Sequence, residues 1–204
     1  AGPLPTLFFS LELPLDMMFP RFVQMEINCR REDVEHDYAQ GGEPLWRSFK
    51  GLHHITVCPE SGLTAAQIEN YIVRSELKIG RRPTLVIVDY IGLVRGATSR
   101  SRYESISDTA EEMKIIAKRT GTIIIMASQI ARPAKDKRET LEVKLHDAKD
   151  SGALENSAGL VLGCWRPDRG QLSIKILKNT KGSSGEVISA KFDGARMQIS
   201  ADDI

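Results

Sequence analysis

The sequence predicts an α/β core extended by antiparallel strands, and three observations predict it. Short apolar runs at Leu7–Ser10, Ile55–Cys58, Leu85–Asp89 and Ile123–Ser128 are continuous, as in strands buried on both faces of a parallel sheet. Helix-start patterns stand between them. Later runs at Leu160–Cys164, Leu172–Leu177 and Val187–Phe192 follow one another directly and alternate better, the pattern of antiparallel strands with one wetter face.

Each element has a local reason. Pro14 is placed to open a helix over Leu15–Glu26, which Pro20 is expected to kink or shorten. Arg30–Leu52, with Gly41-Gly42, reads as loop and short helix. Thr64-Ala65-Ala66-Gln67 fits a capping box, after which Ile68, Tyr71 and Ile72 form an apolar stripe ending near Gly80. Ser101-Arg102-Tyr103-Glu104 is a second box. Behind it Ile106, Ala110, Met113 and Ala117 recur at helical spacing up to a stop at Gly121. In the late strands Leu172, Ile174 and Ile176 share one face, with Ser173, Lys175 and Leu177 on the other. At 204 residues the chain fits a single domain over 1–204, with no internal repeat.

Composition narrows the function classes. Hydrophobic residues at 41% and charged residues at 27% are ordinary for a globular protein. A net charge of +1 leaves nucleic-acid affinity to local clusters. No apolar run reaches a membrane span, and AGPLPTLFFSLELP has no basic start and turns acidic at Glu12, unlike a signal peptide. Cys29, Cys58 and Cys164 are odd in number and sit in no pairing motif, which suits a reducing cytoplasm. His53-His54 with Cys58 has no second ligand pair at metal-site spacing, so a strand entering the core is the better reading.

Three polar residues end strands: Glu12 after LFFSL, Asp89 after LVIV, and Gln129 after IIIMAS. In one parallel sheet they would gather along the carboxyl edge, where α/β ligands bind. Asp89 suits the water shell of magnesium, Glu12 suits polarising a water, and Gln129 suits sensing a phosphate oxygen. Taken singly, each is better read as a cap; the trio in register carries the functional reading. The run Arg132-Pro-Ala-Lys135-Asp-Lys137-Arg138, with Lys144 and Lys149 beyond it, offers cations to phosphates. Acids interleave there and no aromatic is present to stack on bases, so a solvated loop competes evenly. In Lys178-Asn-Thr-Lys181-Gly-Ser-Ser-Gly185 the alternatives are a plain hairpin turn and a pair of cations for a phosphate, including that of a neighbouring subunit.

Taken in order, these segments resemble the C-terminal motor domain of DnaB-type bacterial and phage replicative helicases, a RecA-like family. LFFSLEL, LVIVDYIGL and MASQIAR match three of its strand-end motifs, and HDAKDSGALENSAGLVLGCWR is the most specific match. It keeps Asp147, Ser151, Gly152, Glu155 and Ala158 of the family signature. The resemblance implies a mostly parallel RecA-like sheet flanked by helices, with antiparallel C-terminal strands. It implies ATP and magnesium as cofactors, single-stranded DNA as partner, and a hexameric ring. Glu12 would be the catalytic base, Asp89 the magnesium residue, Gln129 the sensor and Arg132 the basic residue after it. The loop with Lys135, Lys137, Arg138, Lys144 and Lys149 would line the DNA channel. Lys178 and Lys181 would reach the neighbour's ATP.

Two departures shape the expectation. Only Ala1–Thr6 precede the first strand, and none of the 16 glycines is followed by lysine. The phosphate loop with its strand and helix is therefore expected to be absent, leaving a gap in the sheet. Either it lies upstream or on a partner polypeptide, or this is a degenerate relative. Thr180 occupies the arginine-finger position, where an arginine contributes roughly 10³–10⁵ in rate. The 204 residues alone are expected not to hydrolyse ATP at a useful rate. The rival readings are a non-enzymatic DNA-binding or ring-assembly module, and another RecA-like ATPase.

Overall fold

A computed structural model describes residues 2–41, 52–96, 101–130, 142–147 and 151–201. Strand β1 (Thr6–Ser10) is its centre. It pairs in parallel with β2 (Ile55–Cys58) on one side and β3 (Leu85–Asp89) on the other, and β4 (Ile123–Met126) pairs outside β3. The order is β2-β1-β3-β4. Pairing on both sides matches the continuous apolar composition of β1, where only Phe8 is less than fully buried.

Alternation sends consecutive β1 residues to opposite faces. Phe9 meets Tyr71 of helix α3 (Ala65–Ile79) edge to face, with ring centroids 5.9 Å apart. Phe8 meets Phe22 of α1 (Leu15–Ile27) at 6.5 Å. The larger core lies on the Phe9 side, where Val86, Val88, Ile68, Ile72, Met113 and Ile116 close around it. Met113 and Ile116 come from helix α4 (Arg102–Thr120).

Both capping boxes form. Thr64 Oγ1 accepts from Gln67 N–H at 3.3 Å and Thr64 N–H donates to Gln67 Oε1 at 2.9 Å. Ser101 and Glu104 repeat the exchange at 3.3 and 2.9 Å. Gly80 and Gly121 end these helices at φ +74° and +70°, a region that costs glycine nothing. Pro20 does not shorten α1, which runs on to Ile27. Part of the segment expected to be loop and short helix is a nine-residue helix, α2 (Arg31–Ala39), supported by Arg30 N–H on Asp33 and an Arg31–Glu35 pair.

The expectation of strands buried on both faces fails at the two outer strands: Thr56 of β2 is exposed, and in β4 Ile123 is 57% and Ile125 52% exposed. Register puts Phe8, Ile87 and Ile125 on one face, and α1 packs on that face at Phe8. Among the described residues β4 is an edge strand, and Ile123 and Ile125 are covered only in part.

The second sheet is antiparallel, in the order β5 (Leu160–Trp165), β6 (Gln171–Asn179), β7 (Val187–Asp193), β8 (Gln198–Ala201). Strand β8 is short and does not stand out in the sequence as a separate run. The expected wetter face of β6 is partly covered: Ser173 is buried, and the Lys175 ammonium pairs with Glu142. Val143 lies over this face and leaves no room at Gly163, where a Cβ would stand 2.8 Å from Leu177 and 3.2 Å from Val143. The short helix α5 (Ser151–Ser157) precedes β5. No helix among the described residues is long and apolar enough to cross a membrane.

Ile68, fully buried beneath β1, and Ile125, half exposed, give a contrast within one sheet. Ile68→Ala should cost about 2–5 kcal/mol in urea unfolding. Ile125→Ala should cost under about 0.5 kcal/mol.

Candidate functional site

The carboxyl edge of the parallel sheet is stitched together beyond the strand ends. Ser10 stands opposite Asp89 in register. Leu11 N–H donates to Asp89 C=O at 3.0 Å, Ala127 N–H to Val88 C=O at 3.0 Å, and Ile91 N–H to Ala127 C=O at 3.0 Å. These bonds hold the exits of β1, β3 and β4 side by side, so Glu12, Asp89 and Gln129 follow from one edge.

Asp89 is the last residue of β3, half-buried, and the peptide bond that follows it is cis. Among the described residues its carboxylate has no hydrogen-bond or ion-pair partner. Glu12 is exposed in a turn closed by Ser10 Oγ donating to Leu13 C=O at 2.6 Å. Gln129 is exposed, three residues beyond β4. Their side chains share an edge without bonding to one another. At the end of β2, burial pushes the Cys58 thiol up, and the Glu60 carboxylate holds the Tyr71 phenol up to about 12.

No group of three or more His, Cys, Asp or Glu side chains suited to a metal is present among the described residues. A single hard carboxylate at Asp89 still fits magnesium, which keeps most of its waters and takes few protein ligands when phosphate oxygens supply the rest.

The second group of predicted cations is divided. The Lys178 ammonium donates to Glu155 C=O, near the end of α5, so it is engaged within the chain. Thr180 is pinned as well: its N–H and its hydroxyl both donate to Gly159 C=O, at 2.9 and 3.2 Å. Lys181 is exposed, its N–H bonded to Asn179 Oδ1 at 3.0 Å. Lys144 is exposed, and its N–H donates to Asp147 Oδ2 at 2.7 Å. Arg132, Lys135, Lys137, Arg138 and Lys149 lie outside the described residues.

A feature missed from sequence sits at the other end of the antiparallel sheet. Arg166 lies 5.0 Å over the Phe192 ring. Arg169, Lys191 and the Asp193–Ala195 turn complete a cavity of about 540 Å³. The only signal was a pair of arginines around Pro167-Asp168, which reads as an ordinary strand connection. Its partner Phe192 is reached only through β6–β7 pairing.

Comparisons with known proteins come down on one family. The family described as DnaB-like helicase C terminal domain matches residues 2–200. The replicative DNA helicase DnaB of Haemophilus influenzae is 26% identical over 210 residues, covering 95% of this chain and 44% of that protein. A DnaB-like replicative helicase of enterobacteria phage T4 is 25% identical over 76% of this chain and 34% of its own. The chain thus spans less than half the length of these relatives. Among solved structures, a DnaB-like replicative helicase described with its interactions with primase aligns at TM-score 0.84 and 19% identity, over 97% of this chain and 50% of that one. A second solved structure, described as an ATPase domain, aligns at 0.82 and 20%, over 97% and 74%. At such identities the structures establish the fold: a parallel RecA-type sheet with an antiparallel companion.

The cavity turn gives a pH prediction. The Arg196 guanidinium first, then the N–H groups of Arg196 and Ala195, hold the Asp193 carboxyl below its ordinary 3.8. A carboxyl lowered by folding contributes order that is present above its unfolded pKa and lost as pH falls through the folded one. The Ala195 and Arg196 amide resonances should therefore keep their native shifts down to pH about 4 and move below it. Asp193→Asn should abolish that acid-side transition.

Proposed function

The chain belongs to the DnaB-like helicase C-terminal domain family, and from that premise we propose that it forms part of a motor coupling ATP hydrolysis to movement along single-stranded DNA within a ring of like subunits. The observation that carries this reading is the stitched carboxyl edge, where Asp89, Glu12 and Gln129 leave neighbouring strands. Bound magnesium would supply neutralisation of phosphate charge at Asp89. Asp89, without a protein partner among the described residues, is available to orient that ion's water shell. Glu12, exposed in a fixed turn, accepts a proton from an attacking water. Gln129 donates to an outer phosphate oxygen. Lys181, exposed beside pinned Thr180, is the cation of that turn open to a neighbouring subunit's nucleotide. The loop carrying Lys135, Lys137 and Arg138 meets the DNA backbone, as the resemblance implies, together with Lys144 and Lys149.

A non-enzymatic DNA-binding or ring-assembly role is the second reading. Thr180 favours it, because a neutral side chain tied to Gly159 C=O offers no finger charge.

Both are decided in the full reading frame that encodes this chain. Glu12→Gln should lower DNA-stimulated ATP turnover by roughly 10²–10⁴ while magnesium-ATP binding stays within about threefold. Asp89→Asn should weaken the magnesium-dependent part of nucleotide binding. Turnover unchanged by Glu12→Gln would sink the motor reading. DNA binding that falls steeply with salt and weakens on replacing Lys135, Lys137 and Arg138 by alanine, with no ATP turnover by the parent protein, would establish the second.

A further inference from the structure

Helix α1 is held at both ends by different sheets. Its first turn follows directly on the Glu12 loop, with the Met17 and Met18 N–H groups donating to Pro14 C=O at 3.1 and 3.2 Å. Its middle meets the parallel sheet through Phe22, whose ring stands against Phe8, and Met18 and Val23 beside it are buried. Its last turns face the antiparallel sheet through two reciprocal amides. Gln24, 3% exposed, donates from Nε2 to Ala195 C=O at 2.7 Å. Gln198 donates from Nε2 to Met25 C=O at 2.6 Å.

A glutamine buried to this degree is uncommon, and such groups stay buried when they satisfy a partner that nothing else can reach. Here that partner is defined. Asp193 already engages the Ala195 and Arg196 N–H groups and the Arg196 guanidinium, which turns the Ala195 carbonyl outward toward α1. From Leu15 to Gln24 the helix spans roughly 14 Å, so a rotation at the clamp is carried to the Glu12 turn. Among the described residues the Glu12 turn is anchored at the end of β1, through Leu11 and Ser10, and at the start of α1.

We propose that Gln24 and Gln198 form a reciprocal amide clamp that makes α1 a strut between the Asp193–Gln198 turn and the Glu12 loop. Both glutamines are then positioning residues: they set where Glu12 points according to the seat of the antiparallel sheet. Assigning them a part in turnover rests on the role given to Glu12 above, whereas the strut itself does not.

Two measurements test it. Gln24→Met and Gln198→Met preserve size and remove the donor. In this chain, hydrogen exchange is followed at the Met17 and Met18 amides and at the Ala195 and Arg196 amides. Each variant should speed exchange about tenfold or more at both ends. Acceleration confined to Ala195 and Arg196 would overturn the strut. Should Gln24→Met fail to fold, Gln198→Met, at the partly exposed arm, decides the same question. In the full reading frame either variant should lower kcat about tenfold with the KM for ATP within about twofold, and should cause no further loss in a Glu12→Gln background. A loss that multiplies with Glu12→Gln, or no loss at all, would refute the positioning role. If Glu12→Gln itself leaves turnover intact, the reading of Glu12 falls, while the exchange result still stands for or against the clamp.

Discussion

Parallel register at β1 is the constraint on which the other features depend. A central strand with both faces covered is mostly apolar, as Leu7, Phe8 and Phe9 are, and parallel pairing on both sides brings its neighbours' ends to a common line. The bonds from Leu11 to Asp89 and from Ile91 to Ala127 extend that line past the last ladder pair. A polar residue leaving any one strand is thereby fixed relative to those leaving the others. The chemistry proposed for this edge needs that fixation as well as the side chains themselves, because phosphoryl-transfer catalysis rests on positioning together with electrostatic stabilisation.

The two sheets answer to different physics. The parallel one is built from local signals that agree with one another: capping boxes, apolar stripes and glycine stops. The antiparallel one depends on partners far off in sequence. Lys175 reaches back to Glu142, Lys178 to Glu155, and Gln198 to Met25. Its charged and amide side chains act as fasteners, which leaves Lys181 and Lys144 as described, exposed lysines from the predicted set.

Legibility in the sequence followed the same division. The strands β1, β2 and β3, the helices α3 and α4, and the common edge of Glu12, Asp89 and Gln129 could be read because each rests on short-range pattern. Helix α2 could be read only as a short helix without bounds within Arg30–Leu52, because it buries nothing and is carried by a cap and an i,i+4 pair. Strand β8 is four residues long and leaves little periodicity to detect. The exposure of Ile123 and Ile125 is a property of sheet order, which composition does not contain. The Arg166–Phe192 contact depends on strand pairing, and the Gln24–Ala195 bond joins residues 171 positions apart by helix docking.

Gly163 shows what such a fold demands of sequence drift. Its backbone needs no left-handed conformation, so the requirement there is for space alone: Leu177 and Val143 occupy the volume a methyl would take. Gly159 differs, since a Cβ there would meet only the Thr180 hydroxyl at an ordinary 3.4 Å. A side chain at 163 requires the end of Leu177 to swing aside and Val143 to give by a few tenths of an ångström in the same step. The three positions are therefore coupled, and their substitutions should not add.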